Sequence, residues 1–450
     1  MKLLIKVLPG LFLMIFTFTS IAQETWSLQK CIDYALDNNI QIKQQELNSD
    51  YQGNLVNQAK SNRLPNLNAQ FGNNFNFGRS LQYDNTYENV NSMSLSGGMG
   101  ANATLYNGFV LKNTIEQREL DLQASYQDLQ KAKDDIMLSI AASYLEILFA
   151  EELILVTEAQ MEVTQQQINR TQQLVDAGSL AKGSLLEIEA QLAQEELQFV
   201  NDQNRVQLAY LNLYQFLELP ISESFVIEKP DLPEIGSAIA TMNSIDVFNN
   251  ALNLRPEIKA ALLRVESMKT QLDIAKGAQY PDLSFGANYY NNYNDNYQSY
   301  NQITGETSVI PFADQIKNNE RYGFGFTLNI PIFNRHQVKN NISNSKLQVI
   351  DYEYRLQTSK NLLRKDIEQA YTNALAALNR YISSEKAVSS MQEAFRYIEE
   401  KFNVGMVNSV EFNQSKNNLS RAQSDLLQSK YEYIFRTKIL DFYNGVKIEL

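Results

Sequence analysis

The chain has 450 residues, of which 51 are acidic and 39 are basic, so its formal net charge is −12. An acidic chain without a stripe rich in lysine and arginine argues against a nucleic-acid partner. Cys31 is the only cysteine and His336 the only histidine, which excludes an intrachain disulfide framework and leaves any catalytic triad dependent on one residue. The composition therefore predicts neither an enzyme nor a bound metal or cofactor.

The N-terminus predicts a secretory signal peptide over residues 1–22. Lys2 and Lys6 supply a positive region, Leu11 to Phe18 supply most of the apolar stretch, and Ser20-Ile21-Ala22 provides the small residues required before cleavage. A transmembrane anchor is the alternative, but the apolar stretch is short and polar sequence follows at once. After removal of the peptide, no remaining apolar run is long enough to cross a bilayer as a helix.

The rest of the sequence contains a long internal repeat. Ala35-Leu36 recurs as Ala251-Leu252 at one constant offset, and Gly178 recurs as Gly405 at a second, slightly larger offset. The increase in offset indicates one short insertion between Leu283 and Asn334. We interpret the repeat as an internal duplication, with a first structural repeat at 23–219, a linker at 220–245 and a second structural repeat at 246–450.

Each repeat contains two segments in which apolar residues alternate with small or polar ones. Such period-two patterns predict strands with one apolar face. The alternating apolar sets are Leu67 to Phe77, Leu95 to Leu105, Leu283 to Tyr293, and Tyr322 to Ile332. Their length of roughly ten residues suits tilted strands that cross a membrane. We therefore expect Phe324, Phe326, Leu328 and Ile330 to face lipid.

A long helix and a returning helix follow the strands in each repeat. Neither the segment between Gly108 and Gly178 nor the segment between Asn334 and Gly405 contains any Gly or Pro. At about 1.5 Å per residue, either segment could form a helix of roughly 100 Å. The returning helices are predicted at Ser184 to Leu219 and Ser409 to Asn444, so each repeat contains a helical hairpin.

These elements predict a mixed α+β membrane protein. Strands that face lipid cannot leave open hydrogen-bonding edges, because hydrocarbon offers no partners for them. Four strands cannot close a barrel alone, so the chain must oligomerise and share one transmembrane β-barrel. An apolar-out, polar-in barrel that continues into long helices is typical of a conduit.

The order of these elements resembles the TolC-like outer membrane efflux protein family over essentially the whole mature chain. The similar segments are Ser27 to Leu36 (SLQKCIDYAL), Arg63 to Leu67 (RLPNL) before the first strand, and Leu105 to Gly108 (LYNG) after the second. The resemblance implies a homotrimer in the outer membrane, with a shared twelve-stranded barrel and an α-helical periplasmic tunnel. It also implies an exit channel for an inner-membrane transporter, joined through a periplasmic adaptor protein, in tripartite efflux or type I secretion.

The resemblance assigns functional positions to both hairpin ends. Its adaptor-contacting tips fall on Val175, Asp176, Ala177, Gly178, Ser179 and Leu180, and on Phe402, Asn403, Val404, Gly405, Met406 and Val407. Its acidic pore constriction falls on Glu411, whereas the corresponding first-repeat position is Ser184 and a further family aspartate falls on Gln414. A gating arginine of the family falls on Val407. The resemblance therefore implies a constriction with fewer charges than in other members.

Two alternatives remain at this stage. A secreted trimeric coiled-coil protein with a structural or adhesive role would explain the long helices, but it would not need strands with a lipid-facing side. Glu411 could equally be a solvated surface carboxylate, because Ser184 and Gln414 do not extend an acidic cluster. The sequence does not specify the cargo.

Overall fold

The computed structural model describes residues 25–81, 85–220, 225–230, 235 and 243–449. The predicted signal peptide lies outside this part of the chain. The elements in chain order are β1 Thr25–Trp26, α1 Leu28–Asn38, α2 Ile40–Ser61, β2 Asn66–Asn76, β3 Arg79–Leu81, β4 Tyr87–Asn89, β5 Ser92–Asn107, α3 Val110–Asp176, α4 Lys182–Leu217, β6 Val226–Ile227, α5 Ser244–Leu254, α6 Pro256–Gly277, β7 Asp282–Asn294, β8 Gln298–Tyr300, β9 Thr307–Val309, α7 Phe312–Asn318, β10 Arg321–Asn329, α8 Gln337–Asn403 and α9 Ser409–Tyr443.

The four predicted strands form one antiparallel sheet in the order β10-β7-β5-β2. Both ends of β5 and β7 exceed the predicted ranges, whereas β10 ends at Asn329 rather than at Ile332. Pro331 explains the early end, because proline has no backbone N–H to donate to a neighbouring strand. Leu105 does not keep its predicted place in the alternation, since a bulge there leaves Tyr106 opposite Leu283.

The loop that carries the insertion is more ordered than its polar composition predicts. Besides the short hairpin of β8 and β9, it contains helix α7. Gln315 of α7 is fully buried, and its amide donates to the carbonyls of Asn294 and Ile310 at 2.8 and 2.7 Å. The ring of Phe312 lies 4.9 Å from that of Tyr293. These contacts fix α7 to the outer end of β7.

The long helices have the predicted lengths. Helices α3 and α8 have 67 residues each, and they return as α4 and α9, with 36 and 35 residues. Helix α3 packs against both α4 and α9, and α9 in turn packs against α8. Towards the sheet, α6 lies between α3 and α8, and α2 lies beside α3. None of the helices in the described residues is both long and apolar enough to cross a membrane.

The largest apolar cluster lies where the N-terminal segment meets the middle of α3. Strand β1 pairs in parallel with β6, and the Tyr144 hydroxyl shares its one proton between the carbonyls of Glu228, at 2.6 Å, and Trp26, at 3.1 Å. Cys31 is buried in this cluster, and burial raises the pKa of its thiol to about 12. This cysteine is therefore a packing residue, as the sequence predicts.

Candidate channel elements: sheet faces, hairpin tips and helix junctions

Among the described residues, the apolar face of the sheet has no protein core behind β10. Phe324 is 81% exposed, and Phe326, Leu328 and Ile330 are also mostly exposed. Phe326 pairs with Phe285 of β7, with ring centroids 5.3 Å apart. Ile330 lies one residue beyond the end of β10. An apolar surface of this kind requires a partner other than water, and hydrocarbon meets that requirement.

The opposite face carries small and polar residues. On β10 these are Gly323, Gly325, Thr327 and Asn329, and they pair with Asn288, Gly286, Ser284 and Asp282 of β7. Within the part of the chain that the structure describes, strands β2 and β10 each have a neighbour on one side only. One chain thus contributes an open sheet with an apolar face, a polar face and two unpaired edges.

Both hairpins turn through the same backbone motif. Gly178 and Gly405 have φ angles of +72° and +76°, a region that a β-carbon disfavours. The Ser179 N–H donates to the Leu174 carbonyl, and the Met406 N–H donates to the Lys401 carbonyl, at 2.8 and 2.9 Å. Together with the shorter-range bonds donated by the two glycine N–H groups, these form Schellman motifs that satisfy the last carbonyls of α3 and α8.

The two tips lie side by side, and the second presents exposed apolar side chains. Arg170 of α3 donates to the Asn403 carbonyl at 3.4 Å, which links one hairpin to the other. Val404 and Met406 are 71% and 76% exposed. Phe402 points back into its own hairpin, with its ring centroid 4.8 Å from that of Phe412. The second tip therefore combines a packed base with an exposed apolar end.

Glu411 lies in the first turn of α9, where the sequence places it. Its side chain is exposed, and its N–H donates to the side-chain oxygen of Asn408, the N-cap residue, at 2.9 Å. Gln414 is also exposed, and its amide donates to Asn418 at 3.1 Å. Ser184, in the first turn of α4, is half-buried.

Sequence reasoning missed an acidic residue on the neighbouring helix. Glu187 follows Ser184 by three residues on α4, and its carboxylate accepts a hydrogen bond from the Ser409 hydroxyl of α9. This contact brings the starts of α4 and α9 together. The first repeat therefore does place a carboxylate against the start of α9, although not at the position that the repeat alignment indicates.

The second missed feature is a buried polar network between α3, α4 and α9. Lys416 and Glu195 are 5% and 7% exposed, and the Lys416 ammonium donates to the Glu195 carboxylate at 2.9 Å and to the Gln160 carbonyl at 2.7 Å. It also donates to the Thr164 hydroxyl. Burial lowers the pKa of Lys416, and the hydrogen bond to Glu195 opposes that effect.

A sequence signal for this network did exist. On α3, Thr157, Thr164 and Thr171 recur every seven residues and are all buried. On α4, Glu195 and Asp202 are also seven residues apart, and Thr157 donates to Asp202 at 2.7 Å. Polar residues at heptad spacing on two antiparallel helices indicate a polar layer in the shared seam.

Comparison with known proteins identifies the family. A sequence profile described as "Outer membrane efflux protein" matches residues 31–217 and 247–440, which together cover most of the chain. The chain belongs to the outer membrane efflux protein family. Membership makes the protein an outer-membrane exit channel of efflux systems, with helical hairpins on the periplasmic side, and the family is one of channels rather than enzymes.

Individual relatives are distant but align over nearly the whole chain. Outer membrane protein TolC of Vibrio cholerae is 22% identical over 421 residues, covering 92% of this chain and 90% of the relative. Toxin and drug export protein A of Aggregatibacter actinomycetemcomitans is 22% identical over 417 residues, covering 90% and 83%.

Solved structures show the same fold. The outer membrane protein VceC of Vibrio cholerae superposes with a TM-score of 0.76 at 15% identity, covering 94% of this chain and 97% of that one. The CmeC outer membrane channel of Campylobacter jejuni gives a TM-score of 0.72 at 16% identity, covering 93% and 85%. The fold class predicted from the sequence, long helical hairpins with four strands per chain, is confirmed.

Proposed function

We propose that three copies of this chain form one passive conduit, in which a shared twelve-stranded barrel in the outer membrane continues into a periplasmic tunnel of helices. The observation that carries this proposal is the open sheet, with its apolar face and its unpaired edges β2 and β10 in the described part of the chain. Unpaired edges are not tolerated in hydrocarbon. Because β2 and β10 run in opposite directions, β10 of one copy can pair antiparallel with β2 of the next.

The size of the barrel argues against two copies, and the resemblance to the family supports three. Two chains would give eight strands, and side chains fill the interior of a barrel that small. Three chains give twelve strands and leave a lumen. The polar face of the sheet, rich in Gly, Ser and Asn, then lines a water-filled channel, as is typical of barrels that conduct.

The helices support the same ring. In one copy, α8 lies at one flank, and α2 and α4 lie at the other. Both flanks expose apolar side chains, including Leu347 and Tyr354 of α8, Leu47 of α2 and Leu197 of α4. If one flank of each copy packs against the other flank of the next copy, the copies form a closed ring when their rotations add up to a full turn.

At the periplasmic end, the hairpin tips are the proposed contact with an adaptor protein, which joins the channel to an inner-membrane transporter in tripartite efflux or type I secretion. Exposed Val404 and Met406 offer an apolar surface there. Glu411, with Glu187 close to the same helix ends, would form an acidic ring where three copies of α9 converge. The proposed units are the signal peptide 1–22, the repeats 23–219 and 246–450, and the linker 220–245.

Planar-bilayer recording tests the proposal. The purified protein should require detergent, and it should insert into lipid bilayers with discrete conductance steps. A protein that stays soluble without detergent and gives no steps would support the alternative, a secreted structural or adhesive trimer. Met406→Asp should weaken co-purification of the adaptor and leave the conductance unchanged, because the tip lies outside the barrel.

A further inference from the structure

A cleft near the middle of α3 gathers three arginine side chains. Its volume is about 420 Å³, within the range of small-molecule sites. Arg205 of α4, Arg380 of α8 and Arg436 of α9 line it together with Phe149 and Phe435. The three arginines lie on three different helices and are distant in sequence, so only the packing of the hairpins brings them together.

The arginines outnumber the carboxylates that line the cleft with them. Glu146 accepts a hydrogen bond from the Arg205 Nε at 3.0 Å, and the Arg205 Nη2 atom forms an ion pair with the same carboxylate oxygen at 2.9 Å. Glu432 is shared between Arg380, at 2.8 Å, and Arg436, at 3.8 Å. Three guanidinium groups thus face two carboxylates, which leaves one positive charge in excess. The Nε atom of Arg436 is buried and has no hydrogen-bond partner among the described residues, although a buried donor normally has one.

Aromatic rings lie beside the charges. The Arg205 guanidinium carbon lies 4.5 Å from the centroid of the Phe149 ring, and that of Arg436 lies 5.7 Å from the Phe435 ring. Guanidinium groups bind carboxylate, sulfonate and phosphate oxygens well, and they remain charged at any accessible pH. The cleft therefore combines donors for an anionic group with an apolar surface for an organic body.

The cleft opens on the face of the hairpins that is opposite to strands β1 and β6. Tyr144 contacts the backbone of those strands, whereas Ala142, Glu146 and Phe149 line the cleft. At about 100° per residue, these three lie roughly 140–200° around α3 from Tyr144. Ile235 of the linker also packs away from the cleft, against the cluster that contains Ala374 and Tyr433. If β1, β6 and the linker lie on the outer side of the proposed tunnel, the cleft lies on its lumenal side.

We propose that Arg205, Arg380 and Arg436 form a lumenal binding site for organic anions with an aromatic or apolar body. The assignment to the lumen rests on the proposed trimeric tunnel, which would contain three such clefts. The chain is acidic overall, so its field repels anions. A local excess of guanidinium groups lowers that barrier halfway along the tunnel and gives anionic cargo a transient site there.

Blockade of single channels by naphthalene-1-sulfonate tests this site. The anion should reduce the current through the wild-type channel, and the neutral analogue naphthalene-1-methanol should not. The double variant Arg380→Gln/Arg436→Gln should raise the half-blocking concentration at least about tenfold, because it removes two donors of charge-assisted hydrogen bonds to the anion. Arg396→Gln is the matched control, because Arg396 lies on α8 outside the cleft and is paired with Glu393 and Glu400.

Two further measurements separate the site from a folding defect. Arg380→Lys/Arg436→Lys keeps both charges and should be blocked more readily than the glutamine pair. Raising KCl from about 0.1 to 1 M, which shortens the Debye length from about 10 to 3 Å, should weaken the wild-type block. Equal block by the neutral analogue, or a glutamine pair within twofold of wild type, would overturn the inference. A wild-type protein that gives no conductance would instead overturn the channel itself.

Discussion

Loss of the buried ammonium of Lys416 should weaken the contact between the two hairpins and make them open more often. Its partner Glu195 has a side chain only 8% exposed, so Lys416→Met leaves a carboxylate without its counter-charge in a dry seam. Removal of one member of a buried ion pair costs about 3–5 kcal/mol. At about 1.4 kcal/mol per factor of ten, this raises the equilibrium constant for opening roughly 100- to 4,000-fold.

Hydrogen–deuterium exchange of the detergent-solubilised protein measures this opening. The affected amides are those of α4 and α9 around the network, which become exposed when the helices separate. The matched control is Lys131→Met, because Lys131 pairs with Asp135 at the surface, with both side chains about half exposed. Exposed pairs within one helix contribute only about 0.3–0.5 kcal/mol, so exchange in the control should change less than about threefold.

A second variant isolates the charge from the packing. Lys416→Met/Glu195→Gln removes both charges and keeps an acceptor for Gln191, whose amide donates to Glu195 at 2.9 Å. It should recover more than half of the lost protection, since neutral replacement of a buried pair is often nearly free of cost. Exchange within tenfold of wild type in Lys416→Met, or no recovery in the double variant, would refute the reasoning.

Three further predictions concern the sheet, the tips and the constriction. Phe326→Arg should reduce assembly in the membrane, because a charge near the bilayer midplane costs about 2–4 kcal/mol per copy. Thr327→Arg, on the polar face, should assemble and lower the conductance. Equal assembly of the two variants in a heat-modifiability gel would contradict the assignment of Phe326 to the lipid-facing side of β10. Gly405→Val should strain the tip by about 1–2 kcal/mol and weaken co-purification of the adaptor, although the barrel stays intact. Gly405→Asn should be tolerated. Unchanged adaptor binding in Gly178→Val/Gly405→Val would count against a role of the tips in adaptor binding. Glu411→Gln should lower the selectivity of the channel for cations over anions, and the effect should be largest at low salt, where screening is weakest. An unchanged reversal potential would show that Glu411 lies outside the pore.

The sequence predicted the elements that depend on local patterns. Alternation located all four strands, and the absence of Gly and Pro located both long helices to within a few residues. The glycines at the tips were found because a left-handed residue is required after each helix, and Gly178 and Gly405 are equivalent in the repeat. These features depend on residues that are close together in the sequence, so the local sequence pattern is enough to predict them.

Features that depend on contacts between residues distant in the sequence were not predicted. Helix α7 is held by Gln315, which bonds to the end of β7, and nothing in its own polar sequence indicates that contact. The bulge at Leu105 depends on how β5 meets β7. The acidic partner of Ser409 is Glu187, on the hairpin of the other repeat, and the arginine cleft is formed by four helices. Each requires the packing of the hairpins, which periodicity does not give.

Cross-linking between neighbouring copies tests the central claim most directly. Asn68 on β2 and Thr327 on β10 lie on the polar faces of the two edge strands, and the native Cys31 is buried. A chain with Asn68→Cys and Thr327→Cys, treated in the membrane with a flexible bismaleimide, should give covalent dimers and trimers in a denaturing gel. The ladder should stop at three chains, because the ring closes there. A product of one chain only, or a ladder that continues beyond three, would contradict a shared trimeric barrel.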